Sequence, residues 1–175
     1  MNKQKAAWLC AALLAVLIWL PYFQIYSHDF INWDDPYYIY NNPLVSQGLS
    51  VLGIGWAFIT FSTANWHPVT WISHMLDASL FGPAPLVAHL MNVFWFTGCV
   101  ILSFFLFLRL GASLPAAFFM AAFFGLHPLH VESVAWASER KDLLCAFFFL
   151  LALLAYLRYS QTKKLSLYFL TTLLF

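Results

Sequence analysis

Charge is what this sequence has least of. Only 9% of its 175 residues are charged, whereas a soluble domain carries about 25% because its surface must face water. Eight Lys and Arg against seven Asp and Glu leave a formal net charge of +1. A water-soluble globule is excluded, since such a chain cannot solvate an ordinary surface. Nucleic-acid binding is excluded as well, because it requires a basic patch. Intrinsic disorder needs low hydrophobicity and high charge, and neither is present. Cysteine is also scarce: Cys10, Cys99 and Cys145 fall one to each apolar stretch, which predicts packing residues and neither a disulfide framework nor a zinc site. What remains is 63% hydrophobic and 20% aromatic residues, with mean hydropathy +0.78. This is the composition of a chain that lives in a bilayer.

Crossing about 30 Å of hydrocarbon takes roughly 20 apolar residues in a helix. On that measure the sequence predicts an all-α membrane protein, a multi-spanning helical bundle with spans at 6–26, 87–108, 114–128 and 143–158. A fifth span begins at 165–175, where eleven apolar residues have no stop signal, so the reading is of the first part of a longer chain. The first span has the basic opening of a signal peptide, but Leu20-Pro21-Tyr22-Phe23-Gln24 offers no small-residue cleavage site. Cations flank spans on the cytoplasmic side. Lys3, Lys5, Arg109, Arg158, Lys163 and Lys164 all fall on one side of this alternation. The N-terminus is therefore expected in the cytoplasm, with the 27–84 loop and the second turn, around 127–142, on the opposite face.

That loop is too long for a passive connection. Ser50 is placed to cap a short helix over 51–61, and Asn65-Trp66-His67-Pro68 reads as another helix start, with Pro at the first helical position. From Val69 to Phe81 the pattern is amphipathic: Val69, Ile72, Leu76 and Leu80 form an apolar stripe, and Thr70, Ser73, His74 and Asp77 a polar one. Short aromatic-rich helices of this kind are expected to lie in the membrane interface. They either seal the bundle or help to form a site.

Near the start of the loop, Trp33-Asp34-Asp35-Pro36 sets two carboxylates side by side. Such a pair could supply a general base with a partner that orients it, or bind a divalent cation through oxygen. It could equally be an Asx-type turn into Pro36. A second cluster lies in His127-Pro128-Leu129-His130-Val131-Glu132-Ser133-Val134-Ala135-Trp136 and the following Glu139-Arg140-Lys141-Asp142. If 129–141 is one helix, Glu132, Trp136 and Arg140 share a face at four-residue steps. Ionisable groups at membrane depth are costly and so become functional candidates. Arg140, with Lys141 beside it, suits a phosphate ligand, and Glu132 suits acid–base chemistry. The same four charges could instead be a balanced cap on the next span. His127 and His130 lack the H-E-x-x-H order of a zinc site, and hydrogen bonding to backbone or headgroups is the expectation, with no metal assigned.

Taken together, these motifs resemble a known family. Phe30-Ile31-Asn32-Trp33-Asp34-Asp35-Pro36, Tyr38-Ile39 and Asn41-Asn42-Pro43 are similar to the acidic loop motif of multi-spanning GT-C glycosyltransferases, most nearly the transmembrane and tetratricopeptide-repeat (TMTC-like) group and its bacterial relatives. The likeness continues through Asn65-Trp66-His67-Pro68, Trp71-Ile72-Ser73-His74-Met75-Leu76-Asp77, Leu80-Phe81-Gly82, His89-Leu90-Met91-Asn92 and the two 127–142 segments, covering roughly 30–159. The resemblance implies a GT-C-like N-terminal part of a transferase. It would use a polyprenyl- or dolichyl-phosphate sugar, typically mannose, and modify Ser or Thr of a protein acceptor at the periplasmic or lumenal face of the bacterial inner membrane or endoplasmic reticulum. It also implies later spans and tetratricopeptide repeats in the same chain. Asp34 and Asp35 then match the catalytic acidic motif, with Glu132 as second-loop acid. Arg140 and Lys141 become donor-phosphate ligands, while Trp33, His67, His74, Asp77, His127 and His130 are supporting residues. No cofactor is assigned, and Asp34/Asp35 could hold a divalent cation. The rival expectation is a non-catalytic membrane scaffold, or a component that binds or transports a lipid-linked glycan.

Overall fold

The computed structural model describes residues 2–175, and among the described residues all regular structure is helical, with no strand. In chain order the α-helices are α1 (Lys3–Trp19), α2 (Pro43–Ser46), α3 (Val51–Ile59), α4 (Pro68–Phe81), α5 (Pro85–Arg109), α6 (Leu114–Leu126), α7 (Val131–Ala135), α8 (Arg140–Thr162) and α9 (Leu165–Leu174). Most starts are written locally in the sequence. The Asn2, Ser50 and Ser113 side chains accept backbone N–H groups of α1, α3 and α6, and proline opens α2, α4, α5 and α6 at or next to the first position.

Two helices are long and apolar enough to cross a membrane: Pro85–Arg109, and Ala137–Thr162, in which the turn Ala137–Glu139 runs into α8. A third candidate is the broken pair Leu114–Leu126 and Pro128–Ala135, interrupted where Pro128 has no N–H to continue the helix. α1 stops at Trp19, and a 3-10 segment, Phe23–Ser27, takes up the end of the 6–26 stretch because Pro21 interrupts the ladder. The protein is thus an all-α membrane protein.

The chain divides into two compact units. One comprises 1–23, 94–130 and 145–175. In it α1 packs on α6 through a seam of small side chains: Ala117, Ala121 and Gly125 recur at four-residue steps and are buried. A Cβ on Gly125 would strike the methyls of Ile18 and Val100, so glycine is what permits this approach. Cys99 is buried here, but Cys145 is exposed and Cys10 half-exposed, so only the first behaves as the packing residue expected of all three.

The other unit comprises 24–93 and 131–144. Its core is Tyr38, Ile39, Val45, Ala57, Trp71, Met75, Ala88 and Ala137, built where α2 and α3 pack on α4. α4 has the expected two stripes, but they face opposite to the habit of a soluble helix. Thr70, His74 and Asp77 are buried, while Val69, Leu76 and Leu80 are exposed. In an apolar medium the outward stripe meets lipid and the polar groups must find partners inside the protein. The helix expected over 129–141 is also absent. It is replaced by a 3-10 turn (Pro128–His130), α7 and a second 3-10 turn (Ala137–Glu139), so Glu132, Trp136 and Arg140 do not share one helical face.

Candidate active site

The two neighbouring aspartates behave differently. Backbone from Asp34 runs into a π-helical turn, Pro36–Tyr40, which buries Asp35 completely and leaves Asp34 partly open. Asp35 is held on both oxygens. Oδ2 accepts the Ile31 N–H at 2.8 Å, and Oδ1 accepts the Ser138 N–H at 3.0 Å and its hydroxyl at 2.6 Å. Asp35 therefore ties the loop to the Ala137–Glu139 turn, and its lone pairs are taken by protein donors. Among the described residues no three His, Cys, Asp or Glu side chains converge as metal ligands. A two-carboxylate cation clamp at Asp34/Asp35 does not fit this geometry. Pro36 is buried at the start of this turn, whereas Trp33 is 71% exposed and does not brace the pair.

Asp34 instead lines a cavity of about 410 Å³ with Tyr37, Tyr38, Ser62, Thr63, Asn65 and Lys141. Lys141 lies 5.5 Å from the Tyr38 ring centre and donates to Glu139 at 2.6 Å. On the opposite wall Thr63 holds a left-handed backbone at φ 60°, followed by Ala64 at φ 61°. This is an outlier for a β-branched residue, of the kind that clusters at functional sites. Its hydroxyl donates to the Tyr38 hydroxyl at 3.0 Å. The cavity thus combines a carboxylate, a cation, two phenols and two hydroxyls.

Arg140 is not at this surface. It is fully buried and forms an ion pair with Asp77. It also donates to Asn92 Oδ1 at 2.9 Å, the Ala88 carbonyl at 3.0 Å and Ser73 Oγ at 3.5 Å. With these partners the guanidinium presents no free fork to a phosphate. Asn92 in turn donates to the carbonyls of Trp136 and Ala137, at 2.9 and 3.3 Å. Buried contacts therefore run from Asp77 through Arg140 and Asn92 to the turn that carries Ser138, and from there to Asp35 and its neighbour Asp34. Asn92 and Ser138 were given no role in the sequence reading. An amide in an otherwise apolar span is a visible signal for Asn92, whereas nothing local marks Ser138.

Glu132 is exposed and lines a different cavity of about 430 Å³, with His28, Asp29, His89 and Trp136 among its walls. It is not brought to Asp34. His127 and His130 belong to the other compact unit. There Leu129 N–H donates to His127 Nδ1 at 3.3 Å, and His130 packs on Phe96 and Phe124.

His67 stacks with Tyr38, a wall of the Asp34 cavity, and with Trp71, while His74 is buried one turn further along α4. His67 is parallel to Tyr38 at 5.3 Å and close to Trp71 at 5.0 Å. Burial, then the Lys141 charge, lowers the His67 imidazole from its ordinary value. His74 is held well below its ordinary value by burial first, then by Arg140 and His67, so it is neutral in the fold. The sign follows by linkage. A histidine depressed in the fold takes up a proton more readily when unfolded, so its contribution to stability is complete above the unfolded value near 6.5 and is lost below it. We expect thermal stability to fall from pH 6.5 downwards by about 1.4 kcal/mol per pH unit until His74 itself protonates. A His74→Gln variant should show a flatter curve of melting temperature against pH.

Several curated proteins are similar in sequence over most of this chain. Protein O-mannosyl-transferase TMTC1 of Mus musculus is 32% identical over 160 residues, covering 85% of this chain and 17% of its own length. Protein O-mannosyl-transferase TMTC4 of Homo sapiens is 31% identical over 153 residues, covering 75% and 20%. Over these stretches the chain is similar to TMTC proteins. Protein O-mannosyl-transferase F38B6.6 of Caenorhabditis elegans is 29% identical over 160 residues, covering 83% of this chain and 22% of itself. The chain thus spans about a fifth of the length of the curated relatives it matches. No protein-family model and no solved structure matches it.

Proposed function

We propose that this chain carries the acceptor-activating part of a membrane glycosyltransferase, one that moves mannose from a polyprenyl- or dolichyl-phosphate carrier to Ser or Thr of a protein at the periplasmic or lumenal face. The observation that carries the reading is the division of labour within the acidic pair: Asp35 is locked in the protein, while Asp34 opens into a cavity that also holds Lys141. In this scheme Asp34 takes the proton of the acceptor hydroxyl as its oxygen attacks the anomeric carbon. The bond from that carbon to the carrier phosphate breaks, and the Lys141 ammonium offsets the charge of the departing phosphate. Arg140 acts at a distance, holding the turn that fixes Asp35.

The side assignment is supported within one unit: Gln4, Arg109 and Arg158 line a single cavity, which brings the start of α1 and the ends of α5 and α8 together, as the alternation of cationic flanks requires. The test is mannosyl transfer to a Ser/Thr peptide by the full-length protein carrying Asp34→Asn. Transfer should fall by about 10²–10⁴. Undiminished transfer would overturn the assignment and favour a scaffold or glycan-binding role.

A further inference from the structure

The cavity lined by Gln4, Arg109 and Arg158 has features that the transfer reaction does not use. Its volume is about 580 Å³, within the range of ligand sites. Trp8 and Phe105, edge to face at 5.0 Å, form one wall, and leucines of α8 and α9 form the rest. Arg109, Arg158, Gln4 and Gln161 are its polar groups. The compact unit around it contains Lys3, Lys5, Arg109, Arg158, Lys163 and Lys164, and not one Asp or Glu. Neither arginine has an ion-pair partner among the described residues.

We propose that this cavity binds an anionic phospholipid. Arg109 and Arg158 would hold its phosphate, and the Trp8–Phe105 wall and leucines its acyl chain. Arg109 ends one span and Arg158 lies in the last turns of another, which puts both at headgroup depth. A guanidinium is weakly hydrated and matches phosphate oxygens in a fork, so two of them without carboxylates form a phosphate site. Basic pockets between spanning helices on the side marked by cations recognise anionic headgroups in this way. A soluble anion would gain nothing from the apolar remainder of the cavity, whereas a lipid fills both parts.

The experiment uses the full-length protein in detergent, with binding read by native mass spectrometry against phosphatidylglycerol and phosphatidylcholine of equal chain length. Wild type should retain phosphatidylglycerol at least 10-fold better, and Arg109→Gln with Arg158→Gln should remove the preference. Equal retention of the two lipids by wild type, or an unchanged preference in the double variant, overturns the proposal. So does displacement of the lipid by glycerol phosphate at matching concentration, which would mean an anion site without a chain site. A second reading does not depend on the arginine variants folding. Phosphatidylglycerol with brominated chains should quench less fluorescence in Trp8→Phe than in wild type, and equal quenching in the two proteins counts against the site.

Discussion

An Arg140→Met protein is expected to lose about 3–5 kcal/mol of stability, the usual cost of leaving one member of a buried ion pair without the other. Four contacts go at once: the Asp77 carboxylate, Asn92 Oδ1, the Ala88 carbonyl and Ser73 Oγ. Asp77 would then be a buried charge beside an apolar side chain. Pairing Arg140→Met with Asp77→Leu should recover most of the loss, because two apolar groups of similar volume avoid both desolvation costs. Arg140→Lys keeps the charge but has no planar fork to reach Asn92 and Asp77 together, so it should fall between the two. Melting temperatures of the four proteins in one detergent provide the check. If Arg140→Met melts with wild type, the guanidinium does not hold this region together.

The second large effect separates the two aspartates. Asp34→Asn should melt like wild type while losing transfer, because among the described residues the Asp34 carboxylate is open to its cavity and no side-chain hydrogen bond from it holds a neighbouring segment. Asp35→Asn should do the reverse in order of severity. An amide offers one acceptor oxygen where the carboxylate offers two, so either the Ile31 N–H or the Ser138 pair is left unsatisfied, at about 1–3 kcal/mol. Transfer would drop as a consequence, since the turn that positions Asp34 is released. Ser138→Ala should reproduce part of this, and Asp35→Asn with Ser138→Ala should cost less than the sum, as expected of partners in one network. Measuring melting temperature and transfer rate on each variant distinguishes a base from an anchor. Loss of stability in Asp34→Asn equal to that in Asp35→Asn would erase the distinction.

These effects show where local sequence is sufficient and where it is not. Caps, proline starts and the long apolar runs depend on neighbours a few residues away, so Ser50 and Pro68 could be placed at helix starts without a structure. The amphipathic pattern of α4 was equally plain, but its direction was not, because periodicity does not reveal which phase lies outside. Arg140 looked like a ligand for phosphate because a cation at membrane depth implies a partner. The actual partner, Asp77, lies 63 residues earlier. Likewise, adjacency alone could not divide Asp34 from Asp35. The hydroxyl that decides the matter, on Ser138, is 103 residues further along. The 129–141 stretch failed differently: periodicity suggested one helix, but Trp136 takes an extended backbone, where Asn92 donates to two successive carbonyls, and the stretch divides into turns.

That same 103-residue separation has a consequence for biosynthesis. At about 5–20 residues per second, Asp35 emerges on the order of ten seconds before Ser138 exists to receive it, and Asp77 likewise precedes Arg140. Throughout that interval the nascent loop carries two carboxylates destined for burial with no counterpart yet synthesised. The cavity around Asp34 therefore cannot close until residues 138–141 have been made, and an arrest shortly before residue 138 would leave the loop inserted but unassembled.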